Sequence, residues 1–267
     1  MNSAGIEHRY QFGLALIKEA GALASSYFHR RGALTIKSKG VQDMASEADL
    51  NTELLIKNKL AAAFPGDAFL GEETGITSFA AGQGIWVVDP IDGTQPFISG
   101  LTSWCVSIAF VIDNMVRFGM VFAPERDELF AGGAGHPATL NGKPVERATS
   151  ERLNDGIVGV GYNNRTSVDV FLPMFAALLR QGGTFSREGS GALTLCYVAC
   201  GRLLGYIELH INSWDCLGAI AVLHAAGLRT NDFLGQNGLH TGNRLIAGSD
   251  SIYPQLCALL ETTPTQS

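Results

Sequence analysis

The chain has 267 residues, a mass of 28.4 kDa and a formal net charge of −6, with 46% hydrophobic and 16% charged residues. That length and apolar fraction suit one large or two closely packed subdomains around a sizeable core, and the acidic balance, with a pI near 5.5, argues against a nucleic-acid partner, whose binding surface normally carries a basic stripe. Residues 1–10 show no charged-then-apolar leader, and the longest apolar stretch, near residues 104–112, is too short to span a bilayer, so a cytoplasmic protein with no membrane partner is expected.

Phe12, Leu16, Ile17, Ala20, Leu23 and Tyr27 recur at helical spacing and predict a long amphipathic helix over residues 6–30. A second helix follows Ser46, whose hydroxyl suits an N-cap, and runs to about residue 64, where Pro65-Gly66 stops it. The pattern then changes to strands over 69–70, 85–88, 103–112, 116–122 and 128–131. Asp113-Asn114 reads as a hairpin turn, Asn141-Gly142 as another tight turn, and Gly132-Gly133-Ala134-Gly135 as a Gly-rich turn. From residue 156 the chain alternates: strand 157–160, helix 168–180, strand 184–186, helix 192–200, strand 204–209 and helix 216–226, an α/β half. The division near 148–156 gives subdomains 1–150 and 151–267, with no low-complexity linker and no internal repeat.

The five cysteines are odd in number and include no C-x-x-C pair, which points to a reducing compartment; Cys196 and Cys200, four apart on a helix, read as buried small apolar residues. The six histidines form no close pair, so a zinc hydrolase has no support. A G-x-x-x-x-G-K phosphate loop and a G-x-S-x-G elbow are both absent.

The segment Trp86-Val87-Val88-Asp89-Pro90-Ile91-Asp92-Gly93-Thr94 carries the strongest chemical signal. Pro90 cannot donate to a sheet ladder, so the chain is expected to leave the sheet where Asp89 and Asp92 appear. Two carboxylates at a strand's carboxyl end suit a hard cation such as Mg²⁺, which takes a few carboxylates and leaves positions for water and phosphate. Asp-Pro and Asp-Gly are also common turn formers. Two further acidic segments weigh against that plainer alternative: Gly71-Glu72-Glu73-Thr74 after the apolar pair Phe69-Leu70, and Trp214-Asp215 opening an apolar helical run.

These three ordered motifs, GEE, DPIDGT and WD, resemble those of the inositol monophosphatase family of Mg²⁺-dependent, lithium-sensitive phosphatases. The likeness runs from about Glu7 to about Leu260. It implies a layered α/β fold, an αβαβα sandwich of the sugar-phosphatase type, a homodimer, a small phosphorylated substrate and two to three Mg²⁺ per site. The implied metal ligands are Glu72, Asp89, the Ile91 carbonyl, Asp92 and Asp215; the implied catalytic residues are Glu72, Thr94 and Asp92. Gly93, Thr94, Gly189, Ser190, Gly191, Glu208 and Asp215 fall to substrate binding, the phosphate being held by backbone amides and a helix N-terminus. Asp49 resembles the family's acidic residue that supports a weaker metal through water, although an exposed helix-start carboxylate fits equally. Glu73 fits either a supporting or a surface role, Lys37 and Lys39 either a phosphate contact or solvent, and Trp104 and Val106 either a dimer interface or the core.

Substrate choice is the thinnest part of the pattern. Glu208 matches the position where inositol phosphatases hydrogen-bond a substrate hydroxyl. Gln95-Pro96-Phe97 departs from the family's Thr-Asn-Phe, however, and Phe97-Ile98-Ser99-Gly100 resembles the histidinol-phosphate phosphatase branch. Bisphosphate substrates stay open. A regulatory or binding member of the fold is the alternative class, since some bacterial members are associated with transcription complexes; the complete metal set favours an enzyme.

Overall fold

A computed structural model describes residues 1–33, 36–40, 43–133 and 135–261, with backbone alone for Ala33, Ile36–Gly40 and residues 43–45. In chain order the first half contains α1 (Ser3–Phe28), β1 (Ile36–Gly40), β2 (Asp43–Ser46), α2 (Glu47–Ala63), β3 (Ala68–Gly71), β4 (Gly75–Ile76), β5 (Ile85–Asp92), α3 (Thr94–Ser99), β6 (Cys105–Ile112), β7 (Met115–Ala123), β8 (Glu128–Gly133), β9 (His136–Leu140) and β10 (Lys143–Pro144). The second half contains β11 (Ile157–Val160), α4 (Val168–Arg180), β12 (Thr184–Ser186), α5 (Gly191–Ala199), β13 (Gly205–Ile211), α6 (Leu217–Ala225), β14 (Arg229–Thr230), α7 (Gly238–Thr241), β15 (Asn243–Gly248) and α8 (Ile252–Leu260).

Local chemistry sets the element ends. Asn2 caps α1 by accepting the Gly5 amide at 2.9 Å, and Ser46 and Asp49 form a capping box that opens α2. Asp113 and Asn114 both take positive φ, 52° and 55°, the geometry of the hairpin turn that matches strand twist and that Asp and Asn tolerate. It sets the register of β6 on β7 as Ile112 opposite Met115.

The strands form two large sheets. Eight lie in the order β10-β9-β8-β7-β6-β5-β3-β4 and five in the order β12-β11-β13-β15-β14. In the larger, only β3 and β5 run parallel; in the smaller, β12, β11 and β13 run parallel and β15 is antiparallel to both its neighbours. Because side chains alternate across a strand, each sheet feeds two cores. Trp86 and Val88 of β5, with Ile108 and Phe110 of β6, meet α1 and α2, whereas Ile85, Val87, Ala109 and Val111 face α5 and α6. On the smaller sheet Leu245 and Ala247 join that middle core, and Ile207 and Ile246 pack under α4 and α8. The result is five layers, αβαβα.

Four expectations change. The strand over 85–88 continues through Pro90 to Asp92, because a bulge between Asp89 and Asp92 accommodates the missing N–H inside the sheet. Gly132 and Gly133 end β8 rather than forming a turn, with Ala134 outside the described residues. Trp104 and Val106 are fully buried in the core beneath α1, so they serve packing within one chain. The strands and helices after residue 226, β14, α7, β15 and α8, went unread in the sequence. Lys37 and Lys39 lie on β1, where the side chains are outside the description.

The layers meet most closely where α6 crosses the larger sheet. A Cβ built on Gly119 of β7 would stand 2.1 Å from the Gly218 carbonyl oxygen of α6. Gly119→Ala is therefore expected to cost about 1–3 kcal/mol, read as a lower urea midpoint at unchanged m value. An unchanged midpoint would show that α6 can lift from the sheet without loss.

Candidate metal centre

Parallel pairing of β3 with β5 brings their carboxyl ends side by side, with Gly71 opposite Val88, and the Glu72 amide donates to the Val88 carbonyl at 3.3 Å. Glu72 thus lies next to Asp89. Asp215 arrives from the other half, one residue before the Cys216 cap of α6. One carboxylate oxygen from each of Glu72, Asp89 and Asp215 falls within 4.8 Å of the others, and this is the one such cluster among the described residues. Every implied metal ligand, catalytic residue and substrate-binding residue lines a single cleft of about 740 Å³, whereas Asp49 does not line it.

The three carboxylates repel one another. Burial pushes the Asp89 carboxyl well above the usual range, and the charges of Glu72, Asp92 and Asp215 push it further. Burial likewise raises Asp215. Asp89 Oδ1 accepts the Ile91 amide at 3.0 Å, but its Oδ2 is buried and accepts no hydrogen bond. A buried carboxylate oxygen with no donor, beside two more carboxylates, calls for a cation. The donors are hard oxygens, with no nitrogen or sulfur ligand in the cluster, and so they fit Mg²⁺.

Asp92 is held differently. Its Oδ2 accepts the Ser190 hydroxyl at 2.6 Å and the Ala192 amide at 2.7 Å, and its Oδ1 accepts the Gly191 amide at 3.3 Å. These groups open α5, so the positive end of that helix is aimed at this carboxylate. Burial, then the charge of Asp215, pushes Asp92 up to about 7 against those hydrogen bonds.

Thr94 opens α3 immediately after Gly93, and its Oγ1 lies 3.2 Å from both Asp49 Oδ1 and the Ile91 carbonyl. Asp49 is fully buried, which removes the exposed helix-start alternative. Its Oδ2 accepts the Ser46 amide and hydroxyl at 2.8 and 2.7 Å. The Thr94–Asp49 contact spans 45 residues, and only the Asp at N3 of α2 hinted at it in the sequence.

On the far wall Glu208 accepts Asn163 Nδ2 at 2.9 Å and the Tyr206 hydroxyl, and burial pushes it up to about 7. Asn163, Arg165, Arg187 and Tyr206 line the cleft and were missed in the sequence. For Asn163 and Arg165 the signal was position, a polar run at the carboxyl end of β11, and Arg187 follows β12 in the same way, where ligands of open α/β sheets bind; Tyr206 lies inside β13.

Five layers with an acidic cleft between the two sheets define the sugar-phosphatase fold class. The chain belongs to the inositol monophosphatase family, whose family model matches residues 6–265. It is 31% identical over 242 residues to the Nus factor SuhB of Haemophilus influenzae, covering 90% of this chain and 91% of that protein. Inositol monophosphatase 2 of Solanum lycopersicum is 36% identical over 222 residues, 79% of this chain and 82% of the relative. Among solved structures, the suhB protein of Bartonella henselae superposes with a TM-score of 0.86 at 29% identity, covering 93% and 96% of the two chains. The inositol monophosphatase of Anabaena gives 0.83 at 27%, covering 97% and 98%. No helix among the described residues is long and apolar enough to cross a membrane.

The raised carboxylates make a pH prediction for metal-free protein. Asp92 and Glu208 stand at about 7 in the fold and near 4 unfolded. The stability that their neutral forms contribute is complete below about pH 4 and is lost as pH rises to about 7. In chelator, Tm is expected to fall between about pH 4 and 7, with Mg²⁺ restoring more of it at the upper end. A chelated Tm that rises across that window contradicts the assignment.

Proposed function

We propose that the protein is a Mg²⁺-dependent phosphomonoesterase of a small polyol or sugar-like phosphate, inositol monophosphate first among them. The observation that carries this is the convergence in one cleft of the Glu72–Asp89–Asp215 cluster, of Thr94, whose hydroxyl is held by the buried Asp49, and of Glu208. Glu72, Asp89, Asp92, Asp215 and the Ile91 carbonyl would hold two to three ions, which when bound neutralise phosphoryl oxygens and lower the pKa of water.

The chain's own groups do the rest. Thr94 and Glu72, which both line the cleft, are assigned to orient and deprotonate the attacking water, the Thr94 hydroxyl passing its own proton to Asp49 as it takes one from the water. The amides of Gly93 and Thr94, with the Gly189–Ser190–Gly191 segment, are assigned to the phosphate. Glu208, oriented by Asn163 and Tyr206, is assigned to a substrate hydroxyl. In keeping with its family, we also assign the enzyme a homodimeric state and a cytoplasmic location.

The relatives named Nus factor SuhB favour a second reading, a regulatory protein on the same fold, and weigh against taking the acidic balance as excluding a nucleic-acid partner. Phosphate release separates the two. With inositol 1-phosphate, histidinol phosphate, fructose 1,6-bisphosphate and adenosine 3′,5′-bisphosphate, each with and without chelator, Mg²⁺-dependent release from at least one is expected. No metal-dependent release from any would favour the regulatory protein. Asp92→Asn is expected to lose at least about a hundredfold in turnover, and a fully active variant would end the assignment. Glu208→Gln should lower kcat/KM for inositol 1-phosphate; equal rates in the two proteins would move Glu208 out of the substrate site.

A further inference from the structure

The turn that presents Glu72 has little structure of its own. β3 ends at Gly71, β4 is only the pair Gly75–Ile76, and residues 72–74 make the reversal between them. What fixes it comes from α2. Glu53 is fully buried, and its two oxygens accept the backbone amides of Glu73 and Thr74 at 2.8 and 2.7 Å. One helical turn further on, Lys57 Nζ donates to the Thr74 hydroxyl at 2.8 Å. One turn earlier, Asp49 accepts from Thr94.

Residues four apart lie on one helix face, so Asp49, Glu53 and Lys57 form a polar stripe along α2. That stripe touches Thr94 at one end and the Glu72 turn at the other. Gly71 fits this arrangement sterically: a Cβ there would stand 2.4 Å from the Glu53 carboxyl carbon and 2.5 Å from each of its oxygens. Any larger residue would push Glu53 off the amides. The glycine of the GEE motif therefore has a physical role, as the floor on which the Glu53 carboxylate lies.

We propose that Glu53 is a positioning residue that fixes Glu72 for metal through the amides of Glu73 and Thr74. The proposal rests on the metal-site assignment made above. An outer group that orients a ligand typically changes metal affinity by about 10–100-fold when removed. Glu53 touches neither the cleft nor its contents, so its removal acts on how well Glu72 is held.

The test measures Mg²⁺ binding directly, by calorimetry on wild type and Glu53→Gln, with hydrogen exchange at the Glu73 and Thr74 amides. In the wild type those two amides are expected to exchange slowly for a surface turn. In Glu53→Gln they are expected to exchange faster, with Mg²⁺ affinity falling about tenfold and kcat at saturating Mg²⁺ within about threefold of wild type, a pattern that a general loss of stability does not give. Gly71→Ala is expected to reproduce both changes. Wild-type affinity in a folded Glu53→Gln protein overturns the proposal, and so does rapid exchange of both amides in the wild type, a result that stands even if the variant fails to fold. Absence of Mg²⁺ binding in the wild type removes the metal site itself, whereas wild-type binding with unchanged affinity in Glu53→Gln removes only the role of Glu53.

Discussion

Like charges crowded into a low-dielectric cleft are the constraint on which the rest of the structure turns. Carboxylate oxygens of Glu72, Asp89 and Asp215 lie within 4.8 Å of one another, and at an effective dielectric of about 20 each fully ionised pair repels by about 3.5 kcal/mol or more. A loose chain would relax that by moving apart. Here the three belong to elements that cannot move independently: β3 and β5 share a parallel ladder, and α6 is seated on β6 and β7 through the Gly119–Gly218 approach. The layered fold thus acts as a clamp that holds the anions together in readiness for cations.

Helix ends and helix faces supply the finer control. The start of α5 is aimed at Asp92, 98 residues away from Ser190, so the two halves of the chain meet across a carboxylate. The start of α2 is closed by the capping box of Ser46 and Asp49, and the other oxygen of Asp49 reaches Thr94, so one residue both secures the helix start and orients a hydroxyl of the site. Capping is ordinarily worth about 0.5–2 kcal/mol to a helix. In this protein the same groups also orient Asp92 and Thr94 in the cleft, and helix stability and cleft geometry are therefore coupled.

How much of this could be read beforehand depended on the range of the interactions. The apolar stripe of α1, the Ser46 cap, the Asp113-Asn114 turn and the motif order were legible because each is set by residues close in sequence. Pro90 misled because a bulge is a property of a strand pair, and β6, which receives it, lies beyond it in the chain. Trp104 and Val106 were ambiguous because an apolar run has the same appearance whether it faces a partner or its own core. Glu53 gave no local signal and Asn163 only its place after β11: their partners lie 20 and 45 residues away.

The buried acids then sort by what donates to them. Asp49 is held by Ser46, Glu53 by the amides of Glu73 and Thr74, Asp92 by α5, and Glu208 by Asn163 and Tyr206. Each of these is a carboxyl group whose orientation the protein has already fixed. Asp89 is the exception, with one oxygen on a backbone amide and the other buried without a donor. An unmet acceptor costs about 1–3 kcal/mol or more when charged, and it stands where β3, β5 and α6 converge. The acidic pole of the cleft is therefore localised at Asp89 and its two carboxylate neighbours. The residues around it, including the hydroxyl of Thr94 and the pair Glu208 and Asn163 on the far wall, are oriented about that point by donors and acceptors of the chain itself.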